Sequence, residues 1–494
     1  MEKTSAKANF LYNIVYQVLL MITPLITAPY LARVVGSSGV GIFSYTNTIA
    51  CNFAVFGLLG LNNYGNRIIA QKRDNPDELN RVFSGIFYLQ IFISLFVNIA
   101  YGIYIFAFVK ENIVVSLFQF ITVLSVMINF NWAFWGLEKF KITVTRNLII
   151  KFVTLACTFI FVRSIHDLPI YTLIICAGTF FGNAALLRPL FQQIKLVKVP
   201  ISDVLEHLKP NLILFVPILA MTIDRSLDKI MLGCMSSYSE VGYFESADKI
   251  IALSLGCITA LGQVMLPKAS NLIQNGQAKE SSRLLSKSLR FSTLFVSALL
   301  FGIIGVANNF VTIFFGKAFL PCTSVLMLLA PNLLVLAWTY TLKAQYLIPR
   351  GKDIPFIIST FAGLCVNGIL CLLLIPILHA QGAAISTILA ECFSAFIIIR
   401  YANNEINIKE ELRVVAPYLS IGMIMMLIVF GVGNIVSAGA LALVIQVIVG
   451  GISFVVLCFA WMIISKDKLL IEIYNLVIRF THKFIWNKKS VEEA

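Results

Sequence analysis

The sequence predicts an all-α polytopic membrane protein of about fourteen transmembrane helices. Three observations predict it. The 494 residues are 59% hydrophobic and only 13% charged, with a mean hydropathy of +0.88. A soluble domain carries roughly 25% charge, so lipid rather than water is the main solvent of this chain. The apolar residues gather into stretches near the roughly 20 residues that cross a bilayer as a helix. The linkers between them alternate between basic and almost uncharged.

The first span runs near 10–33, directly after a short polar N-terminus without the cleavage pattern of a removed signal peptide. Pro24 and Pro29 interrupt it, and each mid-span proline removes a hydrogen bond and bends the helix. Span 2, near 40–66, follows a glycine turn and carries Tyr45-Thr46-Asn47-Thr48 and Asn62-Asn63-Tyr64. Spans 3 to 6 lie near 82–109, 113–136, 144–163 and 169–192. Span 7, near 211–234, is interrupted by Pro217, and span 8 follows near 241–267. Spans 9 to 12 lie near 290–315, 322–348, 354–376 and 381–401, and two more near 414–435 and 439–464. The three prolines read either as hinges or as static kinks. Beyond Ser465, Leu469, Ile473, Leu476, Phe480 and Phe484 recur at helical spacing among Lys466, Arg479 and Lys483. That tail reads as an amphipathic helix on the inner membrane surface, or as a solvated basic tail.

Charge fixes the orientation. With the N-terminus inside, 31 of the 38 Lys and Arg fall on the cytoplasmic side and only Arg33, Lys110, Arg163 and Lys317 on outer linkers. This is the positive-inside pattern, with both termini cytoplasmic. The net charge of +14 is therefore a topology signal suited to anionic lipid, and nucleic acid is not an expected partner. Ten cysteines lie in or beside apolar spans with no C-x-x-C spacing, so neither a disulfide framework nor a metal site is expected. The longest linkers are inner ones, near 67–81, 193–210, 268–289 and 402–413, which leaves no outer receptor or catalytic domain.

Two stretches read as an internal repeat, or as a chance likeness between two apolar helices, and the similar span-turn-span setting of each favours the repeat. Val40-Gly41-Ile42-Phe43 opens span 2 and Val241-Gly242-Tyr243-Phe244 opens span 8, and the two ten-residue windows match at four positions. The copies are six spans apart, an even number, so they share one orientation and relate by an axis along the membrane normal. The chain then divides into an N-terminal lobe, 1–200 (spans 1–6), a C-terminal lobe, 201–402 (spans 7–12), two extra spans, 403–465, and a cytoplasmic amphipathic basic tail, 466–494.

Three stretches carry a family resemblance. They are Asp224-Arg225-Ser226-Leu227-Asp228-Lys229-Ile230-Met231-Leu232-Gly233 with Val241-Gly242-Tyr243-Phe244 and Ala247-Asp248-Lys249-Ile250; Pro29-Tyr30-Leu31-Ala32-Arg33-Val34-Val35-Gly36; and Trp132-Ala133-Phe134-Trp135-Gly136-Leu137-Glu138-Lys139-Phe140-Lys141 with Arg146 and Lys151. Over about residues 8–465 the chain resembles the polysaccharide repeat-unit (Wzx-type, O-antigen) flippases of the multidrug/oligosaccharidyl-lipid/polysaccharide (MOP) exporter superfamily. The resemblance implies two six-helix lobes around a central cavity plus two C-terminal helices, working by alternating access. It implies a substrate of an oligosaccharide repeat unit on undecaprenyl diphosphate, moved from the cytoplasmic to the outer leaflet for capsular, exopolysaccharide or O-antigen synthesis. It also implies the bacterial cell membrane as location, with membrane lipids and polysaccharide polymerase and export machinery as partners. No cofactor is expected; a proton or sodium gradient, or the membrane potential, is an available driving force.

An ionisable group at mid-membrane costs roughly 2.5–3.5 kcal/mol on insertion scales, so it tends to face a cavity or a partner. Arg33, Arg67, Lys249, Lys343 and Asn47 are the candidate diphosphate- and sugar-binding residues. Asp224, Arg225, Asp228, Lys229, Glu245, Asp248 and Glu391 are candidates for ion coupling or for cavity ion pairs. The competing reading of the charged cluster is a structural ion-pair network between spans 7 and 8; of Arg33, a headgroup anchor; of Arg67 and Lys343, positive-inside anchors; of Glu391, a buried hydrogen-bonded acid. Polar runs such as Asn129-Phe130-Asn131-Trp132 serve either as sugar-facing groups or as interhelical glue. No catalytic residues are expected: there is no G-x-x-x-x-G-K-[ST] and no H-E-x-x-H, and the four histidines are dispersed. The alternatives are a multidrug/cation exporter or lipid II flippase of the same superfamily and, in a different class, a membrane-embedded polysaccharide polymerase or ligase, which should present a large outer loop.

Overall fold

The computed structural model describes residues 23–402, 407–436, 439–475 and 478–479. Every regular element among them is helical. The chain forms two compact units. One comprises the chain up to Lys249 with Asn367–Ser386, the other Ile250–Val366 with Thr387 onward.

The first unit begins with α1 (23–34), whose expected start near residue 10 lies outside the described residues. It continues with α2 (Gly36–Leu58), α3 (Leu61–Lys72), α4 (Pro76–Phe108), α5 (Ile113–Ser125), α6 (Asn131–Gly136), α7 (Phe140–Phe161), α8 (Leu168–Ala185), α9 (Leu187–Phe191), α10 (Ile201–Glu206) and α11 (Leu208–Met235). The start of α12 (Tyr238–Gln274) and the middle of α16 (Asp353–Ala402) complete it. The second unit holds the rest of α12 and α16 with α13 (Ala278–Phe314), α14 (Cys322–Leu329), α15 (Asn332–Leu342), α17 (Ile408–Ile435) and α18 (Ala440–Ser465).

Twelve helical stretches among the described residues are long and apolar enough to cross a membrane. One of them, Ile354–Ala402, is 49 residues long, about 74 Å at 1.5 Å per residue, or two passes of a bilayer core near 30 Å. The helix breaks between those passes at His379, where φ is 52° and ψ is −128°. Counting it twice and adding the span to which α1 belongs gives the fourteen read from the sequence. Several expected spans are themselves broken, among them span 6 between α8 and α9 and span 10 between α14 and α15. Span 2 is divided at Leu59, with φ 47°, into α2 and α3; span 4 passes through a 3-10 turn at Val126–Ile128 before α6. The expected linker at 268–289 is mostly helix, because α12 runs on to Gln274 and α13 starts at Ala278. Each of those helices has 37 residues, about 55 Å, well beyond what hydrocarbon requires.

α4 shows why the sequence folds this way in lipid. Asn75 caps it, its Oδ1 accepting from the Asp77 and Glu78 amides at 3.2 and 3.4 Å, with Pro76 in the first turn. Phe92, Phe96, Ile99, Ile103 and Phe106 form one exposed stripe, and Gln90, Ser94, Asn98 and Tyr101 are buried on the other face. Polar groups inside and large apolar groups outside invert the soluble pattern, as hydrocarbon demands.

The interior of the first unit is joined by polar side chains as well as by packing. The fully buried Trp132 donates from Nε1 to Gln90 Oε1 at 3.0 Å, and Gln90 Nε2 donates to the Val126 and Asn129 carbonyls at 2.8 and 3.1 Å. Arg146 reaches Asn131 Oδ1 at 2.5 Å and Asn183 Oδ1 at 3.1 Å. The Asn129–Trp132 run is thus interhelical glue here. In the second unit Arg290 clasps Glu411 with two bonds of 2.8 and 2.9 Å, joining α13 to α17. Of the expected tail helix, 468–475 is described and helical, with Leu470 in the core of the second unit and Lys287 paired with Glu472 at 3.0 Å; Leu476, Phe480, Lys483 and Phe484 lie outside the described residues.

The repeated Val-Gly pairs meet. A Cβ added at Gly41 would fall 1.6 Å from the Tyr238 carbonyl oxygen, and one added at Gly242 would fall 2.1 Å from the Ser37 carbonyl oxygen. Each contacted residue stands four before the glycine of its own copy, so the contact is reciprocal. Only glycine lets the α2 and α12 backbones approach this closely.

Candidate functional site

The charged residues of α11 and α12 come together in one network. Lys229 Nζ lies 2.6 Å from Glu245 Oε2 and 3.4 Å from Asp248 Oδ2, and Lys249 Nζ lies 2.9 Å from Glu245 Oε1. The Lys229 and Glu245 side chains are only 16% and 12% exposed, whereas Lys249 and Asp248 are more than 40% exposed. Lys229 and Glu245 therefore form the structural centre. Lys249 and Asp248 keep enough surface to meet a ligand. Glu245 and Lys249 sit one turn apart, as their spacing predicts.

Asp228, next in the chain to Lys229, turns away from that network. It is 5% exposed and accepts from Asn367 Nδ2 at 3.0 Å and from Cys371 Sγ at 3.3 Å, both on α16. Both partners are neutral, so the hydrogen bonds that hold this buried carboxylate bring no cation with them. Asn367 and Cys371 are functional candidates that the sequence reading missed. A lone asparagine in the apolar run Cys365–Cys371, with a thiol four residues on, was the available signal.

The other expected residues are dispersed. Asp224 and Arg225 stand one turn before Asp228 and Lys229, half-buried and exposed. Arg33 is exposed at the end of α1 and Arg67 is exposed on α3. Asn47 is half-buried on α2, where Cys51 Sγ approaches its Oδ1 at 3.9 Å. Lys343 and Glu391 belong to the second unit. Lys343 opens a π turn, Lys343–Leu347, with its Nζ 4.9 Å from the Phe356 ring centroid, a cation–π contact; Glu391 is half-buried on α16. Pro24 and Pro29 lie within α1, and Pro217 lies inside α11 without ending it.

A cavity of about 220 Å³ opens elsewhere in the first unit, at the end where α4 and α5 are joined. Tyr45 of α2, Tyr101, Tyr104 and Phe108 of α4 and Tyr238 of α12 supply its rings, and Lys110 and Glu111 its charges. Of these, only Tyr45 belongs to a run singled out in the sequence.

Comparison with known proteins agrees with this architecture. The family described as "Polysaccharide biosynthesis protein" matches residues 6–273, and the family "Lipid II flippase MurJ" matches residues 187–451. The chain is 23% identical over 409 residues to a "Putative O-antigen transporter" of Escherichia coli (strain K12), covering 82% of this chain and 98% of that protein. It is 23% identical over 224 residues to the "Probable low-salt glycan biosynthesis flippase Agl15" of Haloferax volcanii, covering 45% of this chain and 47% of that one. The fold is similar to that of lipid II flippase MurJ in an inward closed conformation, with a TM-score of 0.75 at 14% identity, covering 94% of this chain and all of that one. It is also similar to an inward-facing multidrug resistance MATE family transporter of the MOP superfamily, with a TM-score of 0.61 at 13% identity, covering 80% and 99%. The match to the first of these families spans more than half of the sequence, and the fold is similar to that of the two transporters just described, so the chain belongs to the polysaccharide biosynthesis protein family.

Proposed function

We propose that this protein is a flippase that moves undecaprenyl-diphosphate-linked oligosaccharide repeat units from the cytoplasmic to the outer leaflet of a bacterial cell membrane, for O-antigen, capsular or exopolysaccharide synthesis. It is a transporter and not an enzyme. The observation that carries this reading is the family match over residues 6–273, joined to relatives named for O-antigen transport and glycan flipping. The physical case is that sugars and a diphosphate cannot cross hydrocarbon unaided, while the first unit carries charged groups within its membrane-length helices, Asp228, Lys229, Glu245 and Lys249 among them.

In this reading Arg33, Arg67, Lys249, Lys343 and Asn47 meet the diphosphate and sugars at successive stages, with arginine suited to bidentate phosphate contact. Lys249 is the best placed, since it is part-exposed while Glu245 orients it at 2.9 Å. Asp228 is the favoured coupling group. It is buried among neutral partners, so binding a proton or a sodium ion changes its energy strongly. Pro24, Pro29 and Pro217 serve as the hinges of alternating access. The lobes comprise 1–200 and 201–402, followed by spans 13–14 (403–465) and the tail (466–494); both termini are cytoplasmic, and polymerase and export machinery receive the product.

A deletion strain tests the assignment. Lipid-linked repeat units should accumulate on the cytoplasmic side while surface polysaccharide is lost. Repeat units that reach the outer leaflet but stay unpolymerised would instead place the protein after flipping, and no change in either pool would favour export of another substrate.

A further inference from the structure

The cavity beside α4 has a wall that the charged network does not share. Tyr101, Tyr104 and Phe108 form a ladder of near-parallel rings, with centroids 5.9 and 6.1 Å apart and interplanar angles of 26° and 18°. Tyr45 and Tyr238 meet edge to face across from them, with centroids 5.7 Å apart. Glycines make room for the Tyr45 ring and for the Tyr238 backbone. A Cβ at Gly233 would lie 2.2 Å from the Tyr45 ring, and the Tyr238 carbonyl rests on Gly41. Tyr101 donates its hydroxyl to the Ser116 carbonyl at 3.3 Å, locking the ladder to α5. The wall is thus set before any ligand arrives.

The chemistry narrows the ligand. Tyrosine offers an apolar ring face and a hydroxyl, a match for the C–H face and hydroxyls of a sugar. The rim carries one cation and one anion, Lys110 and Glu111, so it gives no net charge to hold a phosphate or a metal ion. A volume of about 220 Å³ is below the roughly 300–1,000 Å³ of pockets for drug-sized ligands, room for one ring and not for a whole repeat unit. We propose that this aromatic-walled cavity binds one neutral sugar ring of the carried glycan, so that the protein sorts repeat units by a sugar as well as by the carrier diphosphate. The proposal rests on the flippase reading above.

The test uses the full-length protein in lipid nanodiscs with diazirine-bearing methyl glycosides of glucose, galactose and N-acetylglucosamine. At least one glycoside should crosslink within Tyr101–Ser116 or Tyr45–Ile49, and excess unlabelled sugar should displace it. Labelling should fall about fivefold in Tyr104→Ala, the worth of a ring contact, and persist in Tyr104→Phe. The wild-type map decides the matter even where Tyr104→Ala fails to fold. Labelling by none of the three, labelling spread over lipid-facing helices without competition, or displacement by tetramethylammonium but not by sugar would each overturn the proposal. Those results, alongside wild-type rescue of surface polysaccharide in the deletion strain, would overturn the sugar site and leave the flippase reading standing. A deletion strain with no loss of polysaccharide and no accumulated repeat units would overturn the flippase reading itself.

Discussion

Lys229 is the residue on which the charged network depends, because two carboxylates meet it while little of it reaches solvent. Glu245→Gln leaves a mostly buried ammonium with one distant partner. Removing one member of a buried pair costs about 3–5 kcal/mol, so thermal unfolding in detergent should shift down strongly. Lys249→Ala removes the part-exposed partner and should cost under about 1 kcal/mol, leaving the melt almost unmoved while repeat-unit transport falls. Asp228→Asn keeps hydrogen-bonding capacity towards Asn367 and should fold, yet lose gradient-dependent transport measured in inverted vesicles. A fully active Asp228→Asn protein would remove Asp228 from coupling. These charges were legible because any Asp or Lys in an apolar span demands an explanation. Their partners were less so. Asn367 and Cys371 reach Asp228 only through the packing of α16 on α11, a distance of 139 residues in sequence for the amide. Tyr101 and Tyr104 read as ordinary members of an apolar span, and only the fold aligns their faces.

At the scale of elements, the spans were legible because lipid imposes their length and because glycine, proline and charge punctuate them. The internal breaks were not. Leu59 and His379 pair a positive φ with ψ of −127° and −128°, outside the left-handed helical region, and the surrounding structure imposes the conformation. At His379, Ser236 Oγ meets the ring Nδ1 at 3.0 Å and Glu240 Oε2 accepts from the Ala380 amide at 3.1 Å, so α16 turns where the start of α12 holds it. The glycines separate packing from propensity. Gly41→Ala and Gly242→Ala must force two backbones apart, since each added carbon falls well inside contact distance of a carbonyl oxygen. Both should lower the unfolding temperature or abolish expression. Gly102→Ala, with nothing within 4 Å in the interior of α4, should be neutral or gain up to about 1 kcal/mol. Equal effects at all three sites would refute the close approach of α2 and α12.

For the whole molecule, the basic linkers set orientation more than any single span does. Reporter fusions after Lys198, Asn275 and Lys352 should score as cytoplasmic, and fusions in 109–112 and 236–239 as outer. A large outer loop found in this way would bring back the polymerase alternative. The arrangement also bears on how such a chain arose. In the contact between Gly41 and Gly242, each copy of a motif offers the same surface to the other, Ser37 answering Tyr238 across what amounts to a two-fold axis. The contact has the geometry of the isologous contact in a symmetric homodimer, made here within one polypeptide. A half-length ancestor pairing with itself would have felt every change at this glycine twice. In a single polypeptide each glycine can change without its counterpart, and the two helices need not match: α12 carries charges where α2 carries an uncharged polar run.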